Sequence, residues 1–110
     1  MALTLYGLKN CDTCRKALKV CRAFDDETTF VDVRADGISR ADLERFYGAF
    51  GAALLNTRST TWRGLDDAER TRDPIDLLMA HPALMKRPVI DHDGDLTLGW
   101  GADVAAKFTA

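Results

Sequence analysis

One segment near the start constrains the fold more than any other. Leu3, Leu5 and Tyr6 around Thr4 form a short apolar run stopped by Gly7, and the polar loop Leu8 to Asp12 leads from it into a helical pattern. In that pattern Cys14, Ala17, Leu18 and Cys21 fall at i, i+3, i+4 and i+7, while Arg15, Lys16, Lys19 and Arg22 hold the other side. After the acidic break Asp25-Asp26-Glu27, the β-branched and aromatic stretch Thr28 to Val33 reads as a second strand. Strand, helix and strand at this spacing make a βαβ unit, which is parallel and right-handed. The chain is thereby committed to a sheet with a helix packed on it, and Cys11 falls at the start of that helix.

The remaining segments add to this unit. Ser39 offers a helix cap with Asp42 three residues on, and Leu43, Phe46, Tyr47 and Phe50 form an apolar stripe ending near Gly51. Ala52 to Leu55 and Asp66 to Arg72 each have room for a helical turn or two, with the polar stretch Asn56 to Thr61 expected as a loop between them. Asp73-Pro74 is a helix start with Ile75, Leu78 and Met79 facing inward up to His81-Pro82. Val89-Ile90, the turn signal Asp93-Gly94 and Leu96 to Leu98 predict a β-hairpin, and a short amphipathic helix over Ala102 to Phe108 closes the chain. The order is βαβ, a helical insertion over about 39–82, then ββα. The expected fold class is therefore α/β, a thioredoxin-like mixed sheet in one domain, residues 1–110, with a central helical insertion.

Composition excludes several classes of function. Apolar residues are 46% and charged residues 29%, spread along all 110 positions, so disorder and low-complexity architecture are ruled out. Fifteen Lys plus Arg against seventeen Asp plus Glu leave a net charge of −2, without the basic surface of a dedicated nucleic-acid binder. No run approaches the roughly 20 apolar residues of a membrane span. Met1 to Leu8 lacks a basic lead and does not read as a signal peptide, so a cytoplasmic location is expected. Three cysteines do not suggest a secreted disulfide framework, and a monomer is the default expectation.

Cys11-Asp12-Thr13-Cys14 is a C-x-x-C motif at a strand-to-helix turn. Unpaired amides and the positive end of the helix dipole favour a thiolate at Cys11, Arg15 and Lys16 add positive charge, and Asp12 opposes them. Cys14, one turn further along the same face, is placed to attack a mixed disulfide formed on Cys11. The bland alternatives are two passive helix cysteines or half of a zinc site. Zinc needs further ligands, and only Cys21, His81 and His92 remain, with Cys21 reading as a small core residue. His81 and His92 look like a helix end and a hairpin-turn residue without an acid–base partner. Arg87 precedes Pro88, whose bond is either cis, at a cost of about 0.5–1 kcal/mol, or trans at a strand start. Arg58 and Arg63 flank Trp62 and are either solvated or able to bind an oxyanion bidentately.

These residues give the chain a resemblance to the thioredoxin-like arsenate reductases that use glutathione and glutaredoxin, and to their relatives, the Spx-type regulators and YffB-type reductases. The resemblance covers essentially the whole chain. It rests on Leu5 to Leu18 around Asn10-Cys11-Asp12-Thr13-Cys14-Arg15, on Leu55 to Trp62, and on His81 to Val89 around Arg87-Pro88. It implies Cys11 as nucleophile and Asn10 in the loop that presents it. Arg58 and Arg87 match two of the three arginines that arsenate reductases place around an oxyanion, and Pro88 matches the family's cis-proline. Thr13 and Arg15, beside the cysteines, complete the set expected to meet substrate or glutathione. The third arginine is absent, replaced after the last strand by Gly99-Trp100, and Cys14 stands where arsenate reductases typically carry serine. Both departures point to the YffB and Spx-type branches. The implied function is a glutathione-dependent thiol/disulfide oxidoreductase, with glutathione as co-substrate, no tightly bound cofactor or metal, and glutaredoxin as a candidate partner. The alternatives are an arsenate reductase and a redox-sensing regulator that binds the RNA polymerase α-subunit.

Overall fold

The computed structural model describes residues 3–109. Strand β1 (Leu3–Gly7) pairs in parallel with β2 (Thr29–Asp32) in the register Thr4 to Thr29 through Gly7 to Asp32. Between them runs α1 (Asp12–Phe24), so the expected βαβ unit is present. On its other edge β1 pairs antiparallel with β3 (Val89–His92), which forms the hairpin with β4 (Asp95–Leu98), and the sheet order is β2-β1-β3-β4. Asp93 and Gly94 make the turn, both with φ positive, at 52° and 94°. This is the mixed sheet of a thioredoxin-like fold.

The strand period of two assigns neighbouring residues to opposite faces. Leu3, Leu5 and Ile90 pack on one side with Ala17 and Cys21 of α1 and with Val104 and Phe108 from the end of the chain. Tyr6 and Val89 pack on the other with Leu43 and Phe46 of α2 (Arg40–Phe50). The Phe46 ring meets Tyr6 edge-on at 4.9 Å and is fully buried, a contribution of roughly 1.5–3 kcal/mol relative to exposure. Helix α2 begins where the sequence signals it, with the Ser39 hydroxyl accepting from the Asp42 amide at 3.1 Å.

The insertion carries more helix than the sequence suggests. After a 3₁₀ turn at Gly51–Leu54 come α3 (Thr60–Arg63), α4 (Asp67–Arg70) and α5 (Pro74–Ala80), then a second 3₁₀ turn at Pro82–Leu84. The stretch Asn56 to Thr61 was expected as loop throughout, yet Thr60 and Thr61 open α3. Local preference is overruled there by tertiary support. Ser59 Oγ accepts from the Trp62 amide at 3.1 Å, and Arg70 donates to the Trp62 carbonyl through Nε at 3.3 Å and Nη2 at 3.1 Å while lying over the indole. The closing helix also differs from the single element expected, because α6 (Ala102–Ala105) tightens into a 3₁₀ turn at Ala106–Phe108. Among the described residues no helix is long and apolar enough to cross a membrane.

The insertion is stitched to the segment preceding β3. The Asn56 amide donates to the Leu84 carbonyl at 2.8 Å and the Lys86 amide to the Leu54 carbonyl at 2.7 Å, on either side of a bridge between Leu55 and Met85.

Candidate active site

The site forms where β1 hands the chain to α1. Cys11 is the N-cap of α1, with extended backbone at φ −100° and ψ 119°, and its carbonyl accepts the first helical bond from the Arg15 amide at 3.0 Å. No side chain caps this helix end, so its free amides face the half-buried Cys11 sulfur. Burial opposes ionisation of that thiol. The amide and thiol of Cys14 and the Arg87 guanidinium outweigh it and hold the Cys11 thiol below its ordinary value.

Cys14 is 1% exposed and lies against β1. A Cβ at Gly7 would stand 2.5 Å from Cys14 Sγ and 3.2 Å from its Cβ, so only glycine lets the strand approach the helix this closely. Burial pushes the Cys14 thiol up to about 11; the Leu8 amide works against that rise, and the neighbouring Cys11 adds to it. The two cysteines are thus divided into a reachable thiol that ionises readily and a covered one that keeps its proton. Both are free thiols here.

Asp32 fixes the loop that carries Cys11. This carboxylate, 4% exposed at the end of β2, accepts from the Lys9 amide at 3.0 Å through Oδ2 and from the Arg34 and Ala35 amides at 2.9 and 2.8 Å through Oδ1. Burial alone would raise its pKa, but the Ala35, Lys9 and Arg34 amides hold it below the ordinary carboxylate value. One side chain thereby joins the loops at the carboxyl ends of both parallel strands.

Those loops open onto a cleft of about 270 Å³ beside Cys11. The loop after β1 contributes Leu8, Asn10 and Cys11, the loop after β2 contributes Arg34, the start of α3 contributes Ser59 to Thr61, and the segment before β3 contributes Ala83 and Arg87. Arg87 Nη1 donates to the Ala83 carbonyl at 2.8 Å, while its buried Nε has no hydrogen-bond partner. The Arg87-Pro88 peptide bond is cis and Pro88 is buried, which settles the choice the sequence left open.

Of the residues singled out from sequence, Asn10, Cys11 and Arg87 meet in this cleft, with Cys14 and Pro88 buried nearby. Thr13 and Arg15 point to solvent from the first turn of α1, and Arg15 pairs with Asp12 and the Lys9 carbonyl. Arg58 is exposed and lines a different groove with Lys86 and Asn56. Sequence reasoning missed Arg34 and the hydroxyls of residues 59–61. His81 stands at the end of α5 as expected, but its Nε2 lies 3.2 Å from Glu69, so it does have a carboxylate partner, while His92 ends β3 instead of lying in the hairpin turn, its ring 5.7 Å from Phe24 and 6.0 Å from Phe108. Tertiary contacts decide both. Among the described residues no three His, Cys, Asp or Glu side chains are grouped to hold a metal ion.

A dithiol at the head of the first helix, set against a mixed sheet beside a cis-proline, defines a thioredoxin-like redox protein. Residues 6–108 match the ArsC family, and the chain belongs to it. An uncharacterized protein of Haemophilus influenzae is 40% identical over 105 residues, covering 89% of this chain and 90% of that one. The solved structure of a YffB protein superposes with a TM-score of 0.88 at 34% identity, over 99% of this chain and all of the other. An ArsC-related protein of Brucella melitensis is also 34% identical, with a TM-score of 0.72 over 98% of this chain and 94% of its own.

Proposed function

We propose that the protein is a glutathione-dependent thiol/disulfide oxidoreductase in which Cys11 is the nucleophile. The observation that carries this reading is the opposed state of two neighbouring thiols, Cys11 held down at the helix start and Cys14 pushed up to about 11 beneath it. The first is the more readily ionised of the pair and the second keeps its proton at neutral pH, which is the division of labour a disulfide exchange requires.

Cys11 Sγ attacks one sulfur of a glutathione mixed disulfide. A Cys11–glutathione disulfide forms, the substrate S–S bond breaks, and the substrate sulfur leaves as thiolate and takes a proton from water. Engagement of Cys11 also removes the negative charge that helps lift the Cys14 thiol, so Cys14 becomes easier to ionise once the mixed disulfide exists. Its thiolate then attacks Cys11 Sγ and releases glutathione, leaving a Cys11–Cys14 disulfide that two further glutathione molecules reduce with formation of glutathione disulfide. Where Cys14 does not act, a second glutathione attacks the mixed disulfide directly, frees Cys11 as thiolate and leaves as glutathione disulfide, the two electrons having passed to the substrate thiol. Asn10 and Arg87 border the reacting sulfur in both routes.

The test is glutathione-dependent turnover of a glutathionylated peptide at neutral pH by wild type, Cys11→Ser and Cys14→Ser, with arsenate as a parallel substrate. Turnover lost with Cys11 supports the reading, and the Cys14 variant distinguishes the two release routes. Full activity without Cys11 sinks it, and wild type inactive on every substrate moves the weight to a redox-sensing regulator.

A further inference from the structure

The cleft beside Cys11 contains a cation that no motif in the chain announces. Arg34 lies two residues beyond β2, where its amide is held by Asp32 Oδ1 at 2.9 Å, and its guanidinium has no hydrogen bond or ion pair among the described residues. Six other arginines do have side-chain partners: Arg15, Arg40, Arg45, Arg70, Arg72 and Arg87. Arg34 is therefore an uncommitted positive charge lining the same cleft as Cys11. It shares a space of about 270 Å³ with Arg87, whose Nε has no acceptor. No carboxylate side chain lines that space. Asp32 neutralises neither arginine, since its oxygens are taken up by backbone amides, and in accepting from Lys9 and Arg34 together it fixes the backbone beneath Arg34 relative to the Cys11 loop.

We propose that Arg34, with Arg87, forms a carboxylate-binding subsite that selects anionic low-molecular-weight thiols and their disulfides at Cys11. Planar guanidinium groups suit a carboxylate, and a cleft smaller than the roughly 300–1,000 Å³ of an enclosing pocket takes one end of such a molecule rather than all of it. The inference rests on the reductase reading for its substrate, but the subsite itself is a property of charge around one sulfur.

The experiment separates the two. Alkylation of Cys11 is followed by mass spectrometry of its peptide with iodoacetate, an anion, and iodoacetamide, its neutral counterpart, at one pH. The ratio of the two rates cancels the fraction of thiolate and reports the local charge. Arg34→Ala is expected to lower the iodoacetate to iodoacetamide ratio by about threefold, Arg34→Lys to restore most of it, and Arg22→Ala, an exposed cation on the far end of α1, to leave it unchanged. In turnover with the neutral dithiol dithiothreitol as reductant, which is oxidised to its cyclic disulfide, Arg34→Ala should reduce kcat/KM by about tenfold for glutathione disulfide and leave bis(2-hydroxyethyl) disulfide unaffected. An unchanged ratio, or equal losses on the anionic and neutral disulfides, overturns the subsite. A lowered ratio in a protein that reduces neither disulfide supports the subsite and defeats the reductase reading instead.

Discussion

Cys14 and Cys21 stand seven residues apart on one face of α1, both are almost fully buried, and both thiols are pushed up to about 11. They differ in company. Cys21 sits among Leu3, Leu5, Ile90 and Phe108, and burial is the one cause of its shift. Cys14 lies against Gly7 at the end of β1, next to Cys11, the Leu8 amide and the charge of Arg87. Burial alone makes a thiol inert. A thiol buried where two parallel strands end inherits the polar loops gathered there, and its state then depends on what its neighbour is doing.

The largest effect that separates these two ends of α1 is on chemistry. Cys11→Ser should lower turnover by at least about 10³-fold, whereas Cys21→Ala should leave turnover intact and cost only about 1 kcal/mol of stability in urea unfolding. Comparable losses of activity in both variants would erase the distinction. Next comes Asp32→Asn, which weakens a carboxylate accepting from three amides and should cost about 1–3 kcal/mol. Because the folded pKa of Asp32 lies below 3.8, its ionised form stabilises the protein above the unfolded value, and that stabilisation is lost as the pH falls through the folded one. The stability gap between wild type and variant should therefore be widest near neutrality and close below about pH 4.

Glycines sharpen the contrast with opposite signs. Gly7→Ala places a methyl 2.5 Å from Cys14 Sγ and should destabilise by about 1–3 kcal/mol, while Gly48→Ala, on an open surface of α2, should stabilise by about 0.5–1 kcal/mol. The smallest effect is on titration. Iodoacetamide labelling of Cys11 should reach half its maximal rate below pH 9.0, the ordinary thiol value, and Arg87→Met should move that midpoint upward. Cys14 and Cys21 should stay unlabelled in native protein at pH 8, and labelling of either there would show that burial is not what separates the three thiols.

How much of this was legible in advance depends on the range of the interactions. The βαβ unit, the Ser39 cap, the Asp73-Pro74 helix start and the Asp93-Gly94 turn are written in residues a few positions apart, and they appear where the sequence puts them. Cys11 and Cys14 belong to the same local grammar. Helix α3 does not, because four residues starting with two threonines hold a helical turn only when Arg70 reaches back to the Trp62 and Arg63 carbonyls. Arg34 was hidden for a related reason. Nothing in its own neighbourhood marks it, yet pairing of Gly7 with Asp32 brings the loops after both strands to one edge, the place where parallel sheets gather ligands. Counting two residues past the second strand would have found it.

The backbone stitches between residues 54–56 and 84–86 have a mechanical consequence. The segment carrying Ser59 to Thr61 and the segment carrying Ala83 and Arg87 are two walls of the Cys11 cleft, and they leave those stitches on neighbouring stretches of one bonded ladder. Asp32 ties the remaining walls together in the same way. The walls beside the sulfur are consequently held as two bonded pairs, which lowers the ordering cost for a molecule that fits between them.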